Sequence, residues 1–81
     1  MRVRVRLFAS LREAVGQDEV SLDLPAGATP DDAWRHLCEA FPVLRPRRRS
    51  LAAAVNKRYA PFEEALEDGD ELVFIPPVAG G

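Results

Sequence analysis

The chain has almost none of the residues on which metal sites and disulfide scaffolds are built. Its 81 residues include one cysteine, Cys38, and one histidine, His36. A single cysteine closes no internal disulfide, and no Cys or His pair has metal-ligand spacing, so no metal is expected. Two positions apart on a helix, Cys38 and His36 point in different directions and form no nucleophile–base pair. A buried thiol packed near Trp34 is the expected state of Cys38. Long apolar runs are also missing. Met1-Arg2-Val3-Arg4-Val5-Arg6 alternates charge with apolar residues, unlike a signal peptide, and no run approaches the roughly 20 residues of a membrane span. A reducing cytoplasm and no membrane are therefore expected. Charge does not favour one sign strongly: the net value is −2 with 47% hydrophobic residues, which fits a folded chain and gives no reason to expect nucleic acid. Arg45, Arg47, Arg48 and Arg49 form a basic cluster without an aromatic platform beside it, so it reads as a solvated loop or a rim against an acidic partner. Repeats and low-complexity segments are absent. A chain this short builds one small domain with one core and little room for a deep catalytic cleft.

What is present is a clear alternation of strand and helix patterns. Arg2 to Phe8 alternates with period two, placing Val3, Val5 and Leu7 on one face and Arg2, Arg4, Arg6 and Phe8 on the other. Ser10-Leu11-Arg12-Glu13 has capping-box spacing and Gly16 sits at a C-cap, predicting a short helix over Ser10 to Val15. A second strand is expected over Glu19 to Leu24, with Val20, Leu22 and Leu24 toward the core, broken by Pro25-Ala26-Gly27. Thr29-Pro30-Asp31-Asp32 starts the main helix with a hydroxyl cap, a first-turn proline and two acids at the positive end of the dipole. Ala33, Trp34, Leu37, Cys38 and Phe41 make its apolar stripe. Further on, Arg45 to Ser50 reads as a loop, Leu51 to Val55 as a strand, Asn56-Lys57-Arg58 as a turn and Glu63 to Glu67 as a helical turn. After the Asp68-Gly69-Asp70 turn, Glu71 to Ile75 is apolar on both faces, as in a central strand or one with a face kept for a partner. The order describes an α+β domain over residues 1–75, a mixed sheet wrapped on one helix, followed by a tail over residues 76–81.

That tail, Pro76-Pro77-Val78-Ala79-Gly80-Gly81, is the most informative segment. Two prolines fix φ and offer no N–H to a ladder, so they end the strand and send the chain outward. Glycine has no Cβ, so Gly80-Gly81 is thin enough to thread a narrow channel and present its carboxylate to another protein's active site. The extended reach from Pro76 is roughly 20 Å. A glycine pair alone is equally the mark of a frayed terminus; the diproline and the strand before it argue for a built feature.

Phe8-Ala9 with Leu11-Arg12-Glu13, Ala54-Val55-Asn56, Asp68-Gly69-Asp70-Glu71 and the ending Phe74-Ile75-Pro76-Pro77-Val78-Ala79-Gly80-Gly81 together resemble the small, sulfur-carrying subunits of molybdopterin synthase. The resemblance spans nearly the whole chain, departing from the pattern at Arg45 to Arg49. It implies a ubiquitin-like β-grasp. It also implies a non-catalytic carrier whose Gly81 carboxylate is adenylated with ATP by a ubiquitin-activating-like enzyme. A sulfur donor then converts it to a thiocarboxylate, which the large synthase subunit uses to build the dithiolene of molybdopterin from a cyclic pyranopterin monophosphate. No bound cofactor is implied. Partner contacts carry over to Phe8, Arg12, Tyr59 and Ile75, with Phe8 or Ile75 alternatively completing a minor core. Related carriers for thiamine or tRNA thiolation, and ubiquitin-like modifiers that form isopeptides, share the Gly-Gly ending.

Overall fold

Alternation along the first strand decides which side of the sheet becomes the core. In the computed structural model, which describes residues 1–77, β1 spans Arg2–Leu7, with Val3, Val5 and Leu7 buried and the three arginines between them exposed. It pairs antiparallel with β2 (Glu19–Asp23) on one side and parallel with β5 (Glu71–Ile75) on the other. β3 (Ala52–Val55) runs antiparallel to β5 and forms a hairpin with β4 (Arg58–Ala60), giving the order β2-β1-β5-β3-β4. The last strand therefore lies in the middle of the sheet.

Two helices interrupt the strands: α1 (Ala9–Val15) and α2 (Pro30–Ala40). The start of α2 is chemically closed. Asp32 N–H donates to Thr29 Oγ1 at 3.2 Å, and Thr29 N–H donates back to Asp32 Oδ2 at 3.0 Å, so the capping box satisfies two donors that a helix N-terminus leaves open. Ala33, Trp34, Leu37 and Cys38 of α2 are buried against Val3, Val5, Leu7, Leu72 and Phe74 of the sheet. Trp34 meets Phe74 edge-on at 5.0 Å between centroids, and Phe62 stacks on Phe74 at 6.0 Å. Each large side chain removed from water in this way contributes about 1.5–3 kcal/mol. One mixed sheet on one main helix is the ubiquitin-like β-grasp.

Four local expectations are corrected. Ser10 makes no cap: α1 begins at Ala9 behind an extended Phe8 that has no side-chain cap bond, and the Leu11 and Arg12 amides turn back instead onto the Phe8 carbonyl at 3.1 and 3.4 Å. Arg45 to Ser50 is not a loop but part of successive 3₁₀ turns over Pro42–Ser50. Pro42 and Pro46 withhold the donors an α ladder needs, and the tighter turns survive on bonds such as Leu44 N–H to the Phe41 carbonyl at 3.0 Å. Glu63 to Glu67 forms no helical turn: Glu64 N–H closes a single turn onto the Pro61 carbonyl at 3.2 Å, and the later donors are committed elsewhere. Leu66 N–H bonds the Ala28 carbonyl at 2.7 Å and Glu67 N–H bonds Asp70 Oδ2 at 2.8 Å. Finally, the turn after β3 is confined to Asn56 and Lys57, at φ 49° and 70°, and Arg58 already belongs to β4. Positive φ at both central residues is what a two-residue hairpin of matching twist requires.

Asn56 also ties this hairpin to the central strand. Its Nδ2 donates to Asp70 Oδ1 at 2.9 Å, its Oδ1 accepts from Glu71 N–H at 3.0 Å, and its own N–H reaches the Glu71 carbonyl at 2.8 Å. Asp70 is buried, and its second oxygen takes the Glu67 amide. Asn56→Ala and Asp70→Ala should each cost about 1–3 kcal/mol, the first by leaving the buried Asp70 carboxyl short of a donor and the second by leaving the Asn56 amide and the Glu67 N–H without their acceptor. In urea denaturation the double variant should lose less than the sum of the two, because they share a bond.

The Asp32 carboxyl is held below the ordinary aspartate value, first by the Thr29 amide and then by the Thr29 hydroxyl, with the Arg35 charge assisting. A depressed folded value adds stability above the unfolded carboxylate pKa and loses it as pH falls through the folded value. The Tm gap between wild type and Asp32→Asn should therefore be widest at neutral pH and close progressively on acidification.

Candidate docking face and tail exit

The buried core cluster lies entirely on the α2 side of the sheet, and the opposite side carries none of its residues. Alternation places Arg2, Arg4 and Arg6 of β1, Glu71, Val73 and Ile75 of β5, and Tyr59 of β4 on it. The β1–β2 half is polar and largely self-neutralising. Arg2 pairs with Asp23 at 3.1 Å, Arg6 lies 3.9 Å from Glu71, and Arg4 makes no ion pair among the described residues. The other half is apolar. Ala54 sits between Val73 and Tyr59 in register, and Ala52 stands opposite Ile75. Val73 and Ile75 are half-buried, whereas Tyr59 is 78% and Phe8 42% exposed.

Phe8 belongs to the same surface. The β1–β5 ladder ends at the pair Leu7 and Phe74, so Phe8 and Ile75 both follow it by one residue and turn to the open side. The Arg6 guanidinium lies 5.5 Å from the Phe8 ring centroid, a cation–π contact that steadies an exposed ring. Phe8, Ile75 and Tyr59 thus share the open side of the sheet, and contiguous exposed apolar surface of this kind marks interaction sites. Arg12 does not join them. It is exposed on α1, outside the strands that make the face, and its side chain makes no hydrogen bond or ion pair among the described residues.

The tail begins at one end of this face. Pro76 is half-buried and Pro77 exposed, and the two line a cleft together with Ser10 and Leu11 of α1 and Pro46, Arg47 and Ser50 of the 3₁₀ segment. Val78, Ala79, Gly80 and Gly81, the rest of the expected tail, lie outside the described residues.

Elsewhere, the described side chains do not assemble a catalytic constellation. No three His, Cys, Asp or Glu residues among them come together as a metal site. Cys38 is buried, and burial pushes its thiol pKa up against the opposing Arg45 charge, which keeps it protonated and a poor nucleophile at neutral pH. One functional-looking residue turns out to have an internal task. Arg48 donates through Nε to Asp31 Oδ1 at 3.0 Å and lies 3.5 Å from the Phe62 ring centroid. Its partners are 17 and 14 positions away, so no local pattern pointed to them.

The family model for the ThiS family matches residues 5–81. The chain belongs to the ThiS family. Against the molybdopterin synthase sulfur carrier subunit of Chlamydomonas reinhardtii this ThiS-family chain is 36% identical over 83 residues, covering 100% of both. Against the protein of the same name from Escherichia coli (strain K12) it is 38% identical over 88 residues, covering 98% of the chain and 99% of the relative. Among solved structures, SAMP1 from Haloferax volcanii superposes with a TM-score of 0.91 at 34% identity, with 100% of each chain covered.

The two sides of β5 should respond differently to substitution. Phe74→Ala empties the aromatic centre of the core and should cost about 3–5 kcal/mol, whereas Ile75→Asp on the open face should cost about 1 kcal/mol. Thermal melts check this, since about 1 kcal/mol moves Tm by roughly 4–8 °C in a domain of this size. An Ile75→Asp chain that melts as low as Phe74→Ala would place Ile75 in the core.

Proposed function

We propose that this ThiS-family chain is the sulfur carrier subunit of molybdopterin synthase. The observation that carries the reading is similarity along nearly the whole chain, at 36% and 38% identity, to two relatives of that name, in a chain whose Gly-Gly segment follows a strand with Val73 and Ile75 on its open side. In this reading Gly81 supplies the reacting group and other proteins supply the active sites, so the subunit is not itself an enzyme and holds no cofactor.

A carboxylate resists nucleophilic attack because attack adds charge to an anion. The adenylating enzyme removes that obstacle. The Gly81 carboxylate attacks the α-phosphorus of ATP, pyrophosphate leaves, and an acyl-adenylate forms. A sulfide-level donor then attacks the acyl carbon, the C–S bond forms as the bond to AMP breaks, and a thiocarboxylate remains. That group is a soft nucleophile, ionised at neutral pH. The large synthase subunit takes in the thin tail and transfers the sulfur to the pyranopterin, and water restores the carboxylate. Phe8, Tyr59 and Ile75 supply the docking surface in this scheme, with Arg12 as a rim charge, and the exchange of partners takes place in the cytoplasm.

A second reading has specific support: the likeness to the small archaeal modifier protein 1 of Haloferax volcanii, 36% identical over 84 residues. Under it the activated Gly81 forms an isopeptide with lysines of other proteins.

Intact mass spectrometry separates these outcomes. Incubation with ATP, the adenylating enzyme and a sulfur source should yield a product heavier by the exchange of one oxygen for sulfur, absent when Gly81 is deleted. No such product with an active enzyme mixture would sink the carrier reading, and lysine adducts that vanish on deleting Gly81 would favour the modifier. In a binding assay with the large subunit, Ile75→Asp should weaken association by at least about 2 kcal/mol, as expected for an anchor at the centre of an interface.

A further inference from the structure

The basic segment that the family resemblance does not explain forms one wall of the tail's exit. Pro76 and Pro77 have no N–H, so no backbone acceptor grips the base of the tail through its amides. The elements that border it are those with which it lines the cleft, α1 on one side and the 3₁₀ segment on the other. The α1 wall is firm, since Leu11 is buried in the core and Gly16 closes the helix with a bond to the Arg12 carbonyl at 2.8 Å. The opposite wall belongs to the 3₁₀ segment Pro42–Ser50, whose two prolines lack donors and whose tight turns have poorer hydrogen-bond geometry. Such a segment keeps its place only where side chains tie it down.

Two ties are present. Leu44 is buried in the core near the start of the segment. At the far end, Arg48 donates to Asp31 in the first turn of α2 at 3.0 Å, and its guanidinium lies 3.5 Å from the Phe62 ring centroid. Phe62 in turn stacks on Phe74, two residues before Pro76. Arg48 is flanked in sequence by the wall residues Pro46, Arg47 and Ser50.

We infer that Arg48 is a positioning residue for the tail: by pinning the 3₁₀ segment to α2 and Phe62, it holds the wall that aims Pro76-Pro77, and so sets where Gly81 is presented. Arg48 reaches this role through other residues, since it lines neither the exit cleft nor the open face. Losing it does not strand a charge, because Asp31 also lies 3.8 Å from Arg35.

The kinetic consequence rests on the sulfur-carrier reading; the structural one does not, and the two are tested separately. In NMR spectra of the full chain, proton–proton cross-peaks should link Pro76 and Pro77 with Leu11 and Ser50. Arg48→Ala should erase those cross-peaks while leaving the ones between Trp34 and Phe74. Their persistence would overturn the inference. In thiocarboxylate formation by the adenylating enzyme, Arg48→Ala should lower kcat by about tenfold or more, as misplacement of a reacting group does, with KM changed by less than about twofold because the docking face is untouched. Arg48→Lys, which keeps a cation beside Asp31 and Phe62, should recover most of the loss. An unchanged kcat would also overturn the inference, as would an equal rise in KM, which marks a general loss of structure. If wild type takes up no sulfur at all, the carrier reading falls, and the cross-peaks alone decide the part played by Arg48.

Discussion

Everything in this fold depends on the parallel pairing of β1 with β5. It puts the last strand of the chain in the middle of the sheet, with β1 on one side and β3 on the other. A central strand is held by ladders on both edges and by packing beneath, so it is the stiffest place from which a tail can start. Phe74 fixes it from below, between Trp34 and Phe62. One residue later the same strand presents Ile75 to the open side, and Pro76 and Pro77 follow at once. Core, open face and tail exit are thus separated by single steps along one strand, and the period of two is what keeps them apart.

The periphery serves that strand. The Asn56 side chain fastens the β3–β4 hairpin to the beginning of β5 through Asp70 and Glu71, while the Arg48 contacts fasten the 3₁₀ segment near its end. Neither is a strong interaction alone. A partly exposed ion pair contributes at most about 1 kcal/mol, and each hydrogen bond of the Asn56 side chain about 1–3 kcal/mol at most. Their value lies in direction: each joins an element with few hydrogen bonds of its own to one that has many.

Most of the architecture was legible in the sequence because it rests on local rules. The alternation of Arg2 to Leu7 and the Thr29-Pro30-Asp31-Asp32 helix start are physical consequences of residues close together in the chain, and both stand in the structure. The expectations that failed did so where distant partners took over. Glu63 to Glu67 has helix-forming residues, yet its amides are taken by Ala28 and Asp70. Arg45 to Ser50 looked like a loop because prolines and arginines carry no periodicity, while Leu44 and Arg48 find partners far along the chain. β4 escaped notice since three residues with two exposed side chains show no alternation. At the site, Phe8 and Ile75 could be placed from strand parity, whereas Tyr59 and Arg12 could not: Tyr59 lies on the unrecognised β4, and the position of Arg12 depends on how α1 sits beside the sheet.

Strand order also has a consequence for how such a chain is made. Synthesis proceeds from β1 to β5, and the contacts that close the sheet are those between its first and last strands. Until β5 has emerged, β1 and β3 have no neighbour to join them and the core lacks Leu72 and Phe74, its central pieces. The nascent chain has little to gain from folding early, and loop closure over such a separation comes late. A chain broken off before the central strand can neither close the core around Leu72 and Phe74 nor bring Phe8, Tyr59 and Ile75 onto one face.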